Sequence, residues 1–86
     1  MPVIAKFCGI VIRMLFLRSM DARFHAFYGN TELVVGISPL RIIQGEAPGR
    51  IAALVLAWAA SHQAELLRVW QAIGAVQKPA AIGLPC

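Results

Sequence analysis

The chain has 86 residues, of which 59% are hydrophobic and 14% are charged. That length excludes two separately cored domains, and the high apolar content excludes an intrinsically disordered chain. The formal net charge of +4 favours acidic partners, such as nucleic acid or an acidic protein.

Residues 3–17, which read VIAKFCGIVIRMLFL, have the composition and the alternation of β-strands. Ile10, Ile12, Met14 and Phe16 fall on one face, as expected for a period of two residues. Gly9 favours a bulge or bend, because glycine in a strand weakens the ladder and tolerates unusual backbone angles. We therefore predict two short strands joined near Gly9.

A hairpin is predicted next. Residues 23–28 (RFHAFY) alternate as a strand, with Arg23 and His25 on one face and Phe24 on the other. Gly29 and Asn30 suit a two-residue turn because both residue types tolerate positive φ. Residues 32–37 form the returning strand, a turn follows at residues 38–39, and residues 40–43 form a last short strand.

A helix is predicted after Pro48, which suits a first helical turn because its missing N–H costs nothing there. Apolar side chains then recur every three or four residues, which is the spacing of one helix face. The residues of this face are Ile51, Val55, Trp58, His62, Leu66, Val69 and Ile73. Gly74 is the natural end, which gives one helix of about 26 residues, or ~39 Å.

The predicted fold is therefore α+β, a small antiparallel β-meander of four to five short strands packed on one long C-terminal helix. Residues 1–74 are predicted to form the single domain, and residues 75–86 a flexible tail. The helix is long for so small a sheet. Its second half is expected to overhang the sheet or to pack on another chain.

A cytoplasmic location is predicted. The apolar run Ile51–Ala60 is about half of the ~20 residues that span a bilayer, so no membrane segment is expected. Arg13 interrupts the apolar N-terminal stretch, which argues against a signal peptide. Cys8 and Cys86 supply no disulfide framework, so Cys8 is interpreted as a buried apolar residue and a reducing compartment is expected.

The candidate catalytic residues are Arg23 and His25, which lie two apart on one predicted strand and therefore project to the same face. A guanidinium beside an imidazole suits phosphate binding and proton transfer. Arg13 and Arg41 are candidate nucleic-acid-binding residues if the strand order brings them to that face. The alternative is that Arg23 and His25 are solvated strand residues with no task.

His62 lies within the apolar stripe of the helix, where most histidines belong to the edge of a core. A metal-binding alternative would have His62 meet His25 across the interface between sheet and helix. Neither a cofactor nor a metal site is predicted from the spacing of ligand residues, because neither a zinc-binding cysteine pattern nor a phosphate-binding glycine loop is present.

Three stretches together are similar to one bacterial family. They are MPVIAKFCGIVIRMLF, then FHAFYG, then GEAPGRIAALVLAWAASHQAELLRVW. The family, DUF4160, typically reads M-P-x-I-x-R-F-x-G-I, then P-P-H-F-H-A-x-Y-G, then a helix with W-x-x-x-H and E-L-L-x-x-W. The helix match is the most specific, and it includes Trp58, His62, Glu65, Leu66, Leu67 and Trp70. The resemblance covers the chain from Met1 to about Trp70.

The resemblance implies a domain without a settled activity, often suspected to be a toxin–antitoxin component. The H-F-H element of the family corresponds here to Arg23-Phe24-His25, so a site that needs both histidines would be incomplete, which favours a binding role. The main interpretation is thus a non-catalytic interaction module that binds a protein partner, or a second copy, through its apolar helix face. The alternatives are a toxin-like protein that acts on nucleic acid through His25 and Arg23, and a metal-binding protein that uses His25 and His62.

Overall fold

Five strands form one antiparallel sheet in which spatial order follows chain order. The computed structural model describes residues 3–14 and 21–74. The elements are β1 (Val3–Phe7), β2 (Ile10–Arg13), β3 (Arg23–Tyr28), β4 (Thr31–Ile37), β5 (Leu40–Glu46), α1 (Gly49–Ser61) and α2 (Gln63–Gly74). The predicted α+β class and the antiparallel meander are confirmed, whereas the prediction of one long helix is wrong.

Two tight turns set the register of the first four strands. Cys8 and Gly9 join β1 to β2 with φ values of 50° and 78°, so the predicted break near Gly9 is a two-residue hairpin. Gly29 and Asn30 join β3 to β4, and Tyr28 pairs with Thr31. Positive φ gives such turns a twist that matches that of the strands they connect.

β5 is longer than the predicted residues 40–43, because it continues to Glu46. Its pairing with β4 shifts register between Val34 and Val35, where an extra residue on β5 is accommodated. Gly45 has a φ of 94° and lies against the backbone of β4. A sequence pattern of strict alternation cannot anticipate such a bulge, since the bulge adds one residue to a single strand.

The helical region divides at His62, which has φ and ψ of −121° and 20° and ends α1. The His62 Nδ1–H donates to the carbonyl oxygen of Trp58 at 2.9 Å, and the ring stacks on the Trp58 ring at 5.4 Å. The Gln63 side chain then donates to the carbonyl oxygen of Ile37 at 2.7 Å, which ties the start of α2 to β4.

The break keeps the second helix on the sheet, so the predicted overhang is wrong. Leu66 is fully buried, and Val69 and Trp70 are also buried in the core. Leu56 and Leu67 pack against that core as half-buried residues. The buried residues of both helices are therefore used within the domain, whereas Ala53, Ala57 and Ala60 on the outer side of α1 are exposed.

The core lies between the helices and one face of the sheet. Its aromatic centre is Trp58, whose ring stacks on Phe7 at 5.1 Å and meets Phe24 edge-on at 5.8 Å. The other buried residues are apolar: Ile4, Ala5, Ile10, Ile12, Met14, Ala26, Leu33, Val35, Ile37, Ile51, Val55, Ala59, Leu66, Val69 and Trp70. Among the described residues, no helix is both long enough and apolar enough to cross a membrane.

Two sequence predictions, the face assigned to Phe16 and the tail at residues 75–86, concern residues outside those that the structure describes. Cys8 is half-buried and disulfide-bonded, which contradicts its interpretation as a buried apolar residue outside any disulfide and removes the cysteine argument for a reducing compartment. The second cysteine of the sequence, Cys86, also lies outside the described residues.

Candidate functional site on the open face of the sheet

We call the side of the sheet opposite the helices the open face. Phe24 and Ala26 point into the core, so the alternate residues of β3 point to this face. The pairing of the strands extends the face across the sheet. Its residues are Val3, Lys6, Val11, Arg13, Arg23, His25, Phe27, Glu32, Val34, Gly36, Arg41, Ile43, Gln44 and Glu46.

All four candidate residues predicted from the sequence lie on the open face. Arg13 is paired directly with His25 across β2 and β3. Arg23 and Arg41 are both paired with Gly36, one on each side of it. Since neighbouring strands are about 4.8 Å apart, these two arginine backbones are separated by about 10 Å across a glycine that carries no side chain. The strand order thus brings together residues that the sequence spreads over almost 30 positions.

His25 forms a close polar contact on this face. Its Nδ1 lies 2.7 Å from Oε2 of Glu32. Because the carboxylate accepts, Nδ1 carries the hydrogen, and Nε2 is left as the nitrogen that can accept a proton in the neutral ring. The side chain of His25 is 19% exposed and that of Glu32 is 46% exposed. The pair is therefore accessible from solvent.

A pocket of about 270 Å³ opens beside this pair, lined by His25, Glu32, Val34, Gln44 and Gly45. On the same strand as His25, the Phe27 ring stacks with the imidazole at a centroid distance of 6.3 Å. Gly45 allows β5 to lie close to β4 at the edge of the pocket, since its missing side chain leaves room for the backbone of Glu32. Bulged strands of this kind often border functional sites.

Arg23 and Arg41 border a second pocket, whose other lining residues are Asp21, Ala22, Gly36, Ser38, Pro39 and Ile43. The Arg23 Nε–H donates to the carbonyl oxygen of Asp21 at 3.3 Å, which holds the start of its side chain at the entry to β3. Ile43 lies over Gly36, where any side chain would crowd it. This end of the open face therefore combines basic and apolar groups.

The structure does not bring His25 and His62 together. His62 stacks on Trp58, which lies on the helical side of the sheet against Phe24, whereas His25 projects to the open face. Within residues 3–14 and 21–74, no group of three or more histidine, cysteine, aspartate or glutamate side chains is arranged to hold a metal ion. The two histidines are separated by the sheet itself.

Glu32 is the residue of this site that the sequence analysis missed. The hairpin sequence could have indicated that Glu32 lies near His25, because a two-residue turn at Gly29 and Asn30 fixes the register of β3 and β4. That register opposes Phe27 to Glu32 and His25 to Val34, which makes Glu32 a diagonal neighbour of His25 on one face. Diagonal pairs are within reach of long side chains.

The profile of the family described as Domain of unknown function (DUF4160) matches residues 9–71, which is most of the chain. The chain belongs to the DUF4160 family. The resemblance identified from the three sequence stretches is thereby confirmed. The matched range of this family member runs from the turn after β1 into α2, so it contains His25, Glu32 and the three arginines of the open face.

The description of the DUF4160 family carries no activity, and therefore the family alone assigns no reaction, ligand or partner to its members. No match to this member is found among curated proteins or among solved structures. What the protein does must therefore be argued from the chemistry and the placement of its own residues.

Proposed function

We propose that this DUF4160 member is a protein-interaction module that binds its protein partner on the open face of the sheet. The observation that carries the proposal is that the helices pack on one side only. In the described part of the chain, neither helix covers the opposite side. We place the proposed surface on the sheet rather than on the helix face predicted from the sequence, because part of that helix face is packed in the core.

The composition of the open face supports a protein partner. Apolar side chains from neighbouring strands, among them Phe27 and Val34, are half-buried in its middle. Val3 and Ile43 are two of the described large apolar residues that are most exposed, at 38% and 36%. Apolar groups thus lie both in the middle of the face and on its two edge strands, and apolar area of this kind contributes to protein interfaces.

The open face carries charges of both signs. Lys6, Arg13, Arg23 and Arg41 share the face with Glu32 and Glu46, and Glu32 and Glu46 are paired directly across β4 and β5. A protein partner can place a cation opposite these two carboxylates and an acidic group opposite the arginines. A partner surface with both basic and acidic groups would complement the face.

The proposal also includes a cellular role and location. On the basis of the family resemblance, we propose that the protein is a component of a bacterial toxin–antitoxin pair in the cytoplasm. Residues 1–74 would form the binding domain and residues 75–86 a flexible tail. The partner is then the product of the neighbouring gene, and a second copy of this chain is the alternative occupant.

The test uses two arginine substitutions on opposite sides of the molecule. Val34→Arg places a charge in the middle of the open face, and Ala53→Arg places it on the exposed side of α1 as a matched control. We expect Val34→Arg to raise the Kd for the neighbouring gene product at least about tenfold, and Ala53→Arg to change it less than about twofold.

Titration calorimetry with the purified full chain gives both values, and circular dichroism checks that each variant is folded. An effect of Ala53→Arg equal to that of Val34→Arg would contradict the proposed surface. If the neighbouring gene product does not bind but the chain self-associates, sedimentation of the two variants decides whether the open face is the interface between copies.

A second function is favoured by a separate observation, which is that His25, Arg23, Arg13 and Arg41 share one face. We infer that such a protein would act on nucleic acid, with His25 transferring a proton and Arg23 binding a phosphate. The arginines of the neighbouring strands would add phosphate contacts. A partner bound on the open face would cover this site, so the two functions are compatible.

Colony survival after induced expression tests this second function. The unaltered protein is expected to reduce survival, and His25→Ala at matched abundance is expected to restore it, because the base is removed while the fold is kept. Arg23→Ala is expected to restore survival in part. Toxicity retained by both variants, or no toxicity from the unaltered protein, would count against an active toxin.

A further inference from the structure

We propose that His25 and Glu32 form a proton-transfer pair directed at the 2′-hydroxyl of RNA, with Glu32 as a positioning residue. The proposal rests on the second function above and deepens it, because it names the substrate class and the residue that orients the base. It depends on the contact between the two side chains, on their placement by the hairpin, and on the arginines around them.

The contact fixes which nitrogen of His25 can react. The 2.7 Å separation between Nδ1 and Glu32 Oε2 places the hydrogen on Nδ1 and leaves Nε2 with its lone pair in the neutral ring. A base that has taken up a proton at Nε2 becomes an imidazolium, whose Nδ1–H still donates to the carboxylate of Glu32. Carboxylate–imidazole pairs orient the base in this way in hydrolytic enzymes.

The hairpin holds the pair in place. His25 and Glu32 lie on β3 and β4, which are joined by the tight turn at Gly29 and Asn30 and are paired along their whole length. Sites built on strands are held more precisely than sites built on loops. The pocket beside the pair, which Val34 and Gln44 also line, leaves space for part of a nucleotide.

The surrounding arginines supply the recognition of phosphate. Arg13 is paired with His25 across β2 and β3, and Arg23 precedes His25 by two residues on the same face. Guanidinium groups bind phosphate through paired hydrogen bonds and stabilise the negative charge that grows in the transition state. His25 is therefore flanked by cationic groups on its own strand and on the next.

A 2′-hydroxyl is the nucleophile that suits a single histidine base. In the proposed step, His25 Nε2 removes the 2′-hydroxyl proton while the 2′-oxygen forms a bond to the adjacent phosphorus. The bond between phosphorus and the 5′-oxygen breaks, and that oxygen takes a proton from water. The products are a 2′,3′-cyclic phosphate and a 5′-hydroxyl end, and the imidazolium returns its proton to solvent. DNA lacks the nucleophile, so it is not a substrate.

The experiment measures cleavage of an end-labelled RNA oligonucleotide by the purified full chain, with the same sequence carrying 2′-deoxy sugars as a substrate control. Glu32→Gln removes the carboxylate charge beside His25. Glu65→Gln makes the same change on α2, which packs on the other side of the sheet from His25, and is the matched control. We expect Glu32→Gln to slow cleavage at least about tenfold, and Glu65→Gln to change it less than about twofold.

A second measurement separates orientation from activity. Long-range proton–nitrogen NMR spectra report which ring nitrogen of His25 carries the hydrogen. We expect Nδ1–H in the unaltered chain and a mixture of tautomers in Glu32→Gln. Equal spectra for the two proteins would overturn the positioning role of Glu32.

The remaining outcomes are also decisive. Cleavage that Glu32→Gln leaves unchanged would overturn the positioning role but keep the second function. Absence of RNA cleavage, with the tautomer still set by Glu32, would overturn the RNA proposal. Cleavage of the 2′-deoxy oligonucleotide would overturn the assignment of the 2′-hydroxyl as nucleophile.

Discussion

Gly45→Ala is expected to lower the free energy of unfolding by at least about 3 kcal/mol. Two effects add at this position. The φ of 94° strains any residue with a side chain, and the new Cβ would meet the carbonyl group of Glu32 and the Cα of Leu33. These are backbone atoms of β4, which can move only if the ladder hydrogen bonds to β3 or β5 are disturbed. Displacement of Glu32 would also disturb its contact with His25.

Gly29→Ala is the matched control for this prediction. Gly29 also has positive φ, at 57°, but nothing lies within 4 Å of the position of its Cβ. Only backbone strain of about 1–2 kcal/mol is then expected. Urea denaturation of both variants gives the two values. Equal losses at Gly45 and Gly29 would contradict the close approach of β5 to β4.

Trp58→Ala is expected to lower the free energy of unfolding by about 3–5 kcal/mol, because it opens a cavity at the centre of the core. The ring is 7% exposed and contacts the rings of Phe7, Phe24 and His62. It thereby joins β1, β3 and the break between the helices. A small domain has roughly 5–15 kcal/mol of stability in total, so this one change would remove a large fraction of it.

Trp58→Phe keeps one aromatic ring in the core and removes less volume than Trp58→Ala. The Nε1 of Trp58 is buried and has no hydrogen-bond partner among the described residues. Phenylalanine lacks this unsatisfied donor, so Trp58→Phe is expected to cost less than about 2 kcal/mol. Thermal unfolding followed by circular dichroism checks both variants. A loss for Trp58→Ala no larger than that for Trp58→Phe would contradict the central place of this ring.

The strands were predictable because their signals are local. Alternation along residues 23–28 and the Gly29-Asn30 turn depend only on neighbouring residues, and β3 is found with the predicted bounds. The end of β5 was not predictable. Six of its seven residues are exposed, so apolar and polar residues do not alternate along it as they do along a half-buried strand. The bulge also interrupts the period of two.

The helix break was hidden from the sequence because apolar spacing continues through it. His62 falls on the same stripe as Trp58 and Leu66, so periodicity alone joins α1 and α2. The break depends on tertiary contacts, namely the ring stack of His62 on Trp58 and the hydrogen bond from Gln63 to Ile37. Such contacts exist only once the helices lie on the sheet.

The candidate site was predictable in part. The shared face of Arg23 and His25 followed from strand period, and Glu32 was available from the register of the hairpin. The pairing of Arg13 with His25 was not available, since the register of β2 against β3 is not set by a short turn of recognisable sequence. Likewise, the position of Arg41 on the open face depends on the turn at residues 38–39 and on the register of β5.

Binding of the neighbouring gene product tests most directly the proposal that the open face of the sheet is the functional surface. We expect Val34→Arg to weaken this binding at least about tenfold and Ala53→Arg to leave it within about twofold. Binding that is lost with Ala53→Arg and kept with Val34→Arg would contradict this proposal and place the interface on the helices.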